Sequence, residues 1–285
     1  PRKISPFTIP AVLPNLAAGQ VSIRYGARGP ISCTVTACAS GSNAVADAFQ
    51  AIAGGRADLM IAGGVEAAVC PMTVAGFNAM RALSTKNDTP EKASRPFDRD
   101  RDGFIISEGA GILILEELSH ALNRGARILA EVAGYAVTSD AFHVAAPPPG
   151  HPGAVRAMKL ALKDAGLESS EIGYINAHGT STPLNDLFEV EAILQVFGDR
   201  DDLSVSSTKS MTGHLLGAAG GLESIFTVLA LAEGILPPTV NLDNPEKKCR
   251  LDFVPHVSRK RKVRAALSNS FGFGGVNAVL AFRKF

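Results

Sequence analysis

One cysteine and two histidines in this sequence sit among small residues that leave room for chemistry. Cys38 lies in Thr36-Ala-Cys-Ala-Ser-Gly41. Its small neighbours permit a tight turn, and Gly41 lets another backbone come close. At a helix start, unpaired N–H groups and the helix dipole favour a thiolate. The same N–H groups can receive an oxyanion when a thioester carbonyl is attacked. The competing reading for an isolated cysteine is a buried structural thiol, and that is the reading for Cys33, Cys70 and Cys249.

His178 lies in Asn176-Ala-His-Gly-Thr-Ser-Thr-Pro183, directly after an expected strand. The carboxyl end of a strand is where α/β folds place their chemistry. Thr180 and Thr182 add hydroxyls beside it. His214 lies in Ser207-Thr-Lys-Ser-Met-Thr-Gly-His-Leu-Leu-Gly-Ala-Ala-Gly220. Lys209 in that stretch could hold a carboxylate, with Asp186 and Glu223 as partners, or be an ordinary surface lysine. A lone histidine reads more readily as a satisfied core residue. Phe271-Gly-Phe-Gly-Gly275 is too glycine-rich for a regular strand and reads as a loop that exposes N–H groups. Phe273 there is either a gate or a core aromatic.

The combination is narrower than its parts. A cysteine can carry an acyl group while two imidazole N–H donors hold the carbonyl oxygen of a second thioester. An enolate formed by loss of carbon dioxide is then stabilised by hydrogen bonds, with no metal and no cofactor. Other signals are weak. There is no P-loop, and the pieces at 62–64 and 109–111 lack dinucleotide-fold context. No Gly-x-Ser-x-Gly elbow is present. His120, His143, His151 and His256 read as loop or surface histidines, and Asp98–Asp102 as a solvated turn.

The chain has 285 residues, 46% of them hydrophobic, enough for a large core in one or two domains. A net charge of +1 with 19% charged residues is far from the basic excess of a nucleic-acid binder. The basic run Arg259–Arg264 reads as a solvated face, with an acidic docking partner as the alternative. Four scattered cysteines without Cys-x-x-Cys spacing point to a reducing compartment. No apolar run approaches the ~18 residues of a membrane span. Ile112–Leu115 and Ile225–Ala232 are each closed by a glutamate. The opening residues are not a signal peptide.

Alternating strand-like and helix-like stretches, rich in alanine and glycine, predict an α/β fold. Ile31–Ala37 is expected as a strand, Ser40–Ala53 as a helix and Leu59–Ala62 as a strand stopped by Gly63-Gly64. Together they make a βαβ unit with Cys38 at its first junction. Strands follow at Phe104–Glu117 and Ile128–Thr138, with a helix at Leu118–Arg124. The proline-rich segment Ala145–Pro152 separates two halves. Beyond it come a helix at Ala154–Asp164, a strand at Ile172–Ala177, a helix at Asn185–Phe197, a strand at Leu203–Ser207 and a helix at Leu216–Ala232. Two closing strands, Arg264–Ser268 and Val276–Phe282, flank the loop 269–275. The halves, 1–140 and 141–285, rhyme: each has a strand, a turn bearing a chemical residue, a small-residue helix and closing strands. The first lacks the helix, strand and helix that open the second, so it is incomplete by at least ~50 residues.

The four blocks Thr36–Ser40, Asn176–Pro183, Lys209–Ala219 and Asn269–Gly275 resemble the β-ketoacyl-[acyl carrier protein] synthases, in particular the type II elongating condensing enzymes. The similarity runs from Arg2 to Ala278. It implies a thiolase-like αβαβα fold of five layers with two pseudo-duplicated halves, and a homodimer. It implies that Cys38 takes an acyl chain from acyl carrier protein. His178 and His214 would then assist decarboxylation of malonyl-acyl carrier protein, and the carbanion would attack the acyl-Cys38 thioester. The N–H groups of Cys38 and Phe273 would form the oxyanion hole, and Phe273 would gate. Lys209 would organise the site with Glu223 nearby, and Thr180 and Thr182 would meet the pantetheine arm. Lys-Ser-Met-Thr-Gly-His-Leu-Leu matches synthase II rather than I. His214 argues against the Cys-His-Asn initiating type, and thiolases would need a second cysteine. Family members carry roughly a hundred further N-terminal residues, which supply the first strands, part of the acyl pocket and part of the dimer contact. A ketosynthase of polyketide or specialised lipid synthesis would use the same site. A non-catalytic partner subunit would lack Cys38. An inert truncated product is the third alternative.

Overall fold

The computed structural model describes residues 3–246 and 249–285, so Arg2, where the resemblance begins, lies outside the described residues. Two short helices, α1 (Thr8–Val12) and α2 (Leu16–Tyr25), open the chain without a buried residue. A single 3-10 turn, Ala37–Ala39, leads into α3 (Ser40–Ala53). β1 (Leu59–Glu66), α4 (Pro71–Ala79), β2 (Gly109–Glu116), α5 (Leu118–Asn123) and β3 (Glu131–Ser139) follow. The rest of the chain gives α6 (Pro152–Ala165), β4 (Ile172–Asn176), α7 (Pro183–Phe197), β5 (Ser204–Ser206), α8 (Lys209–Thr212) and α9 (Ala219–Glu233). It closes with the two-residue strands β6 (Ile235–Leu236) and β7 (Arg259–Lys260), then β8 (Ala265–Gly272) and β9 (Val276–Arg283).

The central sheet is mixed, in the order β3-β9-β8-β4-β5. β4 runs parallel to β5 and β8, while β9 is antiparallel to both of its neighbours. Its inner strands are buried along nearly their whole length, so they read as continuous apolar and small-residue runs rather than alternating ones. Helices α6 and α7 cover one face through a cluster that includes Met158, Ile175, Ile193 and Leu267. Helices α3 and α9 cover the other face through Val45, Tyr174, Leu231 and Phe282. The antiparallel pair β1–β2 lies on the far side of α3 and α9. The order is therefore α, β, α, β. The outer face of β1–β2 is bare: Val65, Ile112 and Ile114 are 54%, 45% and 57% exposed.

Several expectations change. Ile31–Ala37 forms no strand: residues 31–36 have no regular structure, Ala37 opens the 3-10 turn, Val35 is 72% exposed, and no ladder partner pairs with the segment among the described residues. A strand needs a neighbour as well as β-forming residues. The βαβ unit around Cys38 is thus a turn and a helix, and β1 pairs antiparallel with β2. Gly63-Gly64 does not stop β1. The strand continues to Glu66 because its glycines pair with Gly111 and Ile112 and lie under the start of α9. Asn269–Gly272 belongs to β8, which leaves a tight turn at 273–275. β3, counted with the first half, is hydrogen-bonded into the sheet of the second.

Leu216–Glu233 has the length and hydropathy of a membrane span, which contiguous apolar runs did not show. It packs in the interior between the two sheets, about half buried. Asp98 is not solvated: it is buried, with both carboxylate oxygens accepting backbone N–H groups of Asp100, Asp243 and Asn244.

Candidate active site

The Cys38 turn is locally strained. Ala37 just before it has φ +50°, a left-handed conformation that costs a non-glycine residue energy. Ser40 holds the turn by accepting from the Thr36 N–H at 2.9 Å and donating to the Ala37 carbonyl at 2.7 Å. Two close backbone approaches seat it. A Cβ on Gly41 would lie 2.5 Å from the Gly221 nitrogen. A Cβ on Gly272 would lie 2.6 Å from the Thr36 oxygen and 3.3 Å from the Cys38 nitrogen. The end of β8, where Phe273 follows, is therefore pressed against the cysteine turn.

Cys38, His178 and His214 line one cleft of about 400 Å³, with Thr180, Thr182 and Phe273 also on its wall. The two imidazoles face each other, ring centroids 5.4 Å apart and nearly perpendicular. His178 is placed by its backbone: its N–H and that of Gly179 donate to the two Glu189 oxygens at 2.8 and 2.7 Å. His214 is placed by a bridge to Ile105–Ser107, its N–H donating to the Ile105 oxygen at 2.7 Å. Its ring stands edge-on to Phe104. The Thr180 and Thr182 hydroxyls are 2.9 Å apart.

Lys209 is buried, not a surface lysine, and forms an ion pair with Glu223. Its Nζ also stands 3.4 Å from His178 Nδ1. Asp186, the other partner considered, instead caps Ser181 and Phe97 N–H groups and faces Arg101 at 3.6 Å.

The electrostatics differ from the sequence expectation at the sulfur. Burial pushes the Cys38 thiol up to about 11; Lys209 pulls it down, and Glu223 pushes it up again. Desolvation outweighs the benefit of the helix start. Burial and the nearby Lys209 charge hold both imidazoles well below the usual histidine range, and each is neutral at pH 7. Two neutral imidazoles in the cleft can hold a thioester oxygen by hydrogen bonds, and the Cys38 thiol must lose its proton before it can attack.

Some residues escaped the sequence reading. Glu189 is buried, and its readable signal was a carboxylate on the helix face that also carries Asn185, Ala192 and Ile193. Burial raises it, against the hydrogen bonds it accepts. His151, expected at the surface, is buried and lines the cleft with Asp140. No local pattern marked it. His143 also lines the cleft, its Nδ1 accepting from the N–H groups of Ala145 and Ala146.

Two family models divide the chain. The beta-ketoacyl synthase N-terminal domain matches residues 1–121, and the beta-ketoacyl synthase C-terminal domain matches residues 129–243. A 3-oxoacyl-[acyl-carrier-protein] synthase 2 from Synechocystis sp. is 57% identical over the whole chain, which spans 69% of that relative. One of the same description from Rhizobium meliloti is also 57% identical, with 68% of its length covered. Among solved structures, a type II polyketide ketosynthase in complex with its acyl-carrier protein superposes with a TM-score of 0.96 at 39% identity, covering all of this chain and 70% of that one. A beta-ketoacyl synthase from Burkholderia phymatum superposes at 0.91 and 42% identity, covering 96% of this chain and 66% of that one. The α/β architecture, the four motif blocks and these matches agree: this chain belongs to the beta-ketoacyl synthase family.

Proposed function

We propose that the chain carries the site of a β-ketoacyl-acyl carrier protein synthase that elongates fatty acids by two carbons. The observation that carries this reading is the pair of neutral, mutually facing imidazoles in the cleft that Cys38 lines.

In the first half-reaction the Cys38 sulfur attacks the thioester of an acyl-acyl carrier protein. The thiol gives up its proton as the sulfur attacks, a step that its raised pKa makes costly, and the proton ends on the departing pantetheine sulfur. The N–H groups of Cys38 and Phe273 receive the oxyanion. In the second, malonyl-acyl carrier protein places its thioester oxygen between His178 and His214. The carbon–carbon bond to the carboxylate breaks, carbon dioxide leaves, and the electron pair becomes an enolate held by two imidazole N–H groups. The enolate carbon attacks the acyl-Cys38 carbonyl. The carbon–sulfur bond then breaks, and the leaving Cys38 thiolate takes up a proton from solvent.

Lys209 orders this arrangement. An ammonium group donating to Nδ1 keeps the His178 proton on Nε2, the nitrogen that must donate to substrate. Glu223 balances the lysine charge. Thr180 and Thr182 meet the pantetheine arm, and Phe273, half exposed on the wall, gates the acyl side.

Acyl carrier protein is the partner in this reading, a homodimer the assembly, and the bacterial cytoplasm, a plastid or a mitochondrion the compartment. The chain is read as halves 1–140 and 141–285, with β3 reaching into the second half's sheet. Whole-chain identity of 57% to 3-oxoacyl-[acyl-carrier-protein] synthases 2, against 39% to the type II polyketide ketosynthase, supports the fatty-acid reading.

The test is a mass spectrum after incubation with a long-chain acyl-acyl carrier protein. One acyl group should attach to the chain, on the Cys38 peptide, and none to Cys38→Ala. An acyl group on another cysteine, or on the variant, would overturn the assignment.

A further inference from the structure

His151 occupies an improbable place for a histidine. It caps the start of α6 with φ +44° and ψ +58°, a left-handed backbone that glycine adopts freely. Its side chain is buried, and its Nδ1 has no hydrogen-bond partner among the described residues. Its Nε2 lies 3.6 Å from Asp140 Oδ2, a carboxylate that is itself buried. A glycine here would avoid the backbone strain, the unpaired nitrogen and the need to set a ring beside a buried acid. Costs of this kind persist where a site uses the result.

The contacts show what the ring does. His178 is bounded by His214 at 5.4 Å, by Lys209 at Nδ1 and by Phe271 at 5.6 Å. Phe271 is held on another side by the His151 ring, centroids 4.6 Å apart and edge to face. Asp140 fixes that ring in turn. Its Oδ1 accepts from Asn277 Nδ2 at 2.8 Å, and its N–H donates to the Gly275 oxygen at 2.8 Å. Burial would raise the Asp140 carboxyl, but the neighbouring His151 and the hydrogen bond from Asn277 hold it below its ordinary value. The order of contact is thus Asp140, His151, Phe271, His178.

We propose that His151 is a positioning residue of the condensation site, setting the His178 ring through Phe271. The proposal deepens the ketosynthase reading and rests on it for the rate readout alone. Cys38 acylation does not need the His178 ring held between these partners, whereas malonyl decarboxylation does.

The experiment uses His151→Gly, which relaxes the backbone while deleting the ring. A second variant, His151→Asn, tolerates the left-handed backbone but also lacks the ring. Long-range proton–nitrogen spectra of the labelled protein report the His178 ring. Stopped reactions separate acyl transfer to Cys38 from decarboxylation of a malonyl thioester. The His178 ring signals should move in both variants, decarboxylation should fall about tenfold, and acyl transfer should stay within about twofold. Unmoved ring signals would overturn the positioning role whatever the rates. So would an equal loss of both half-reactions that tracks a lowered melting temperature. A parent protein that never decarboxylates a malonyl thioester would overturn the ketosynthase reading instead, while the ring signals still decide the role of His151.

Discussion

Lys209 Nζ stands 3.4 Å from His178 Nδ1 and is simultaneously paired with the Glu223 carboxylate, all three side chains being buried. One cation thus does two things. In the proposed mechanism it selects the histidine tautomer, and its field helps hold His178 and His214 neutral. Removing it should therefore damage chemistry and stability by separate routes.

Lys209→Met is expected to lower malonyl decarboxylation by ~10²-fold, the scale of a misplaced donor. It also leaves Glu223 as an uncompensated buried acid, which costs about 3–5 kcal/mol when a buried pair is broken. Lys209→Met/Glu223→Gln should recover most of the stability and little of the rate. Thermal melts and decarboxylation assays check both. A double variant with parental activity would remove Lys209 from the catalytic arrangement.

His178→Ala and His214→Ala should each slow decarboxylation by ~10²-fold or more, since each deletes one N–H donor from the enolate oxygen. Because both rings titrate well below the usual histidine range, the parent decarboxylation rate should stay flat from pH 8 down through about 6.5. A rate that falls with a midpoint near 6.5 would show that an ordinary imidazole governs the step. An unchanged rate in either alanine variant would release that residue from its role.

Thiol labelling should run against the helix-start argument, which favours a thiolate at Cys38. Cys70 is exposed, and its hydrogen bonds with Thr73 lower its thiol below the ordinary value. Cys38 is half buried and pushed up to about 11. A small alkylating agent at pH 7.5 should modify Cys70 well before Cys38. The Cys38 rate should climb about tenfold per pH unit up to roughly pH 10, as the thiolate fraction grows. Peptide mapping over time decides this, and Cys38 labelled first at neutral pH would contradict the desolvated-thiol picture.

Gly41→Ala should destabilise the protein by about 1–3 kcal/mol or more, because the new methyl meets the Gly221 backbone nitrogen and no flexible side chain can yield. Since α3 carries the Cys38 turn, acylation should fall as well. A variant with parental melting temperature and acylation would show that α3 and α9 can part without consequence.

Much of the fold was legible because its signals were local. α3 ends where Ala53 meets Gly54, and α6 and α7 end at Gly166 and Gly198, as the helix periods and C-terminal glycines foretold. β4 and β5 came within a residue of their observed bounds. Ile31–Ala37 failed because pairing is a property of two segments, and its own residues cannot supply the second. Gly63-Gly64 misled for the converse reason: in a strand pressed against α9, glycine is the residue that fits. Asp98 was read as part of a solvated turn and His151 as a loop or surface histidine, because nothing next to them in sequence announces burial.

The sequence by itself determined which chemical groups the protein has to work with: a cysteine in a small-residue turn, two histidines at strand and helix boundaries, and a lysine between them. It also determined the helices that aim them, through periodicity and caps. Only the tertiary structure decided what those groups are at neutral pH and whom they face. The neutrality of His178 and His214, the high thiol pKa of Cys38, the choice of Glu223 over Asp186 for Lys209 and the wedging of His151 behind Phe271 all depend on water being excluded and on charges from distant segments coming within a few ångströms. Those are sums over three-dimensional neighbours, and no window of the chain contains them.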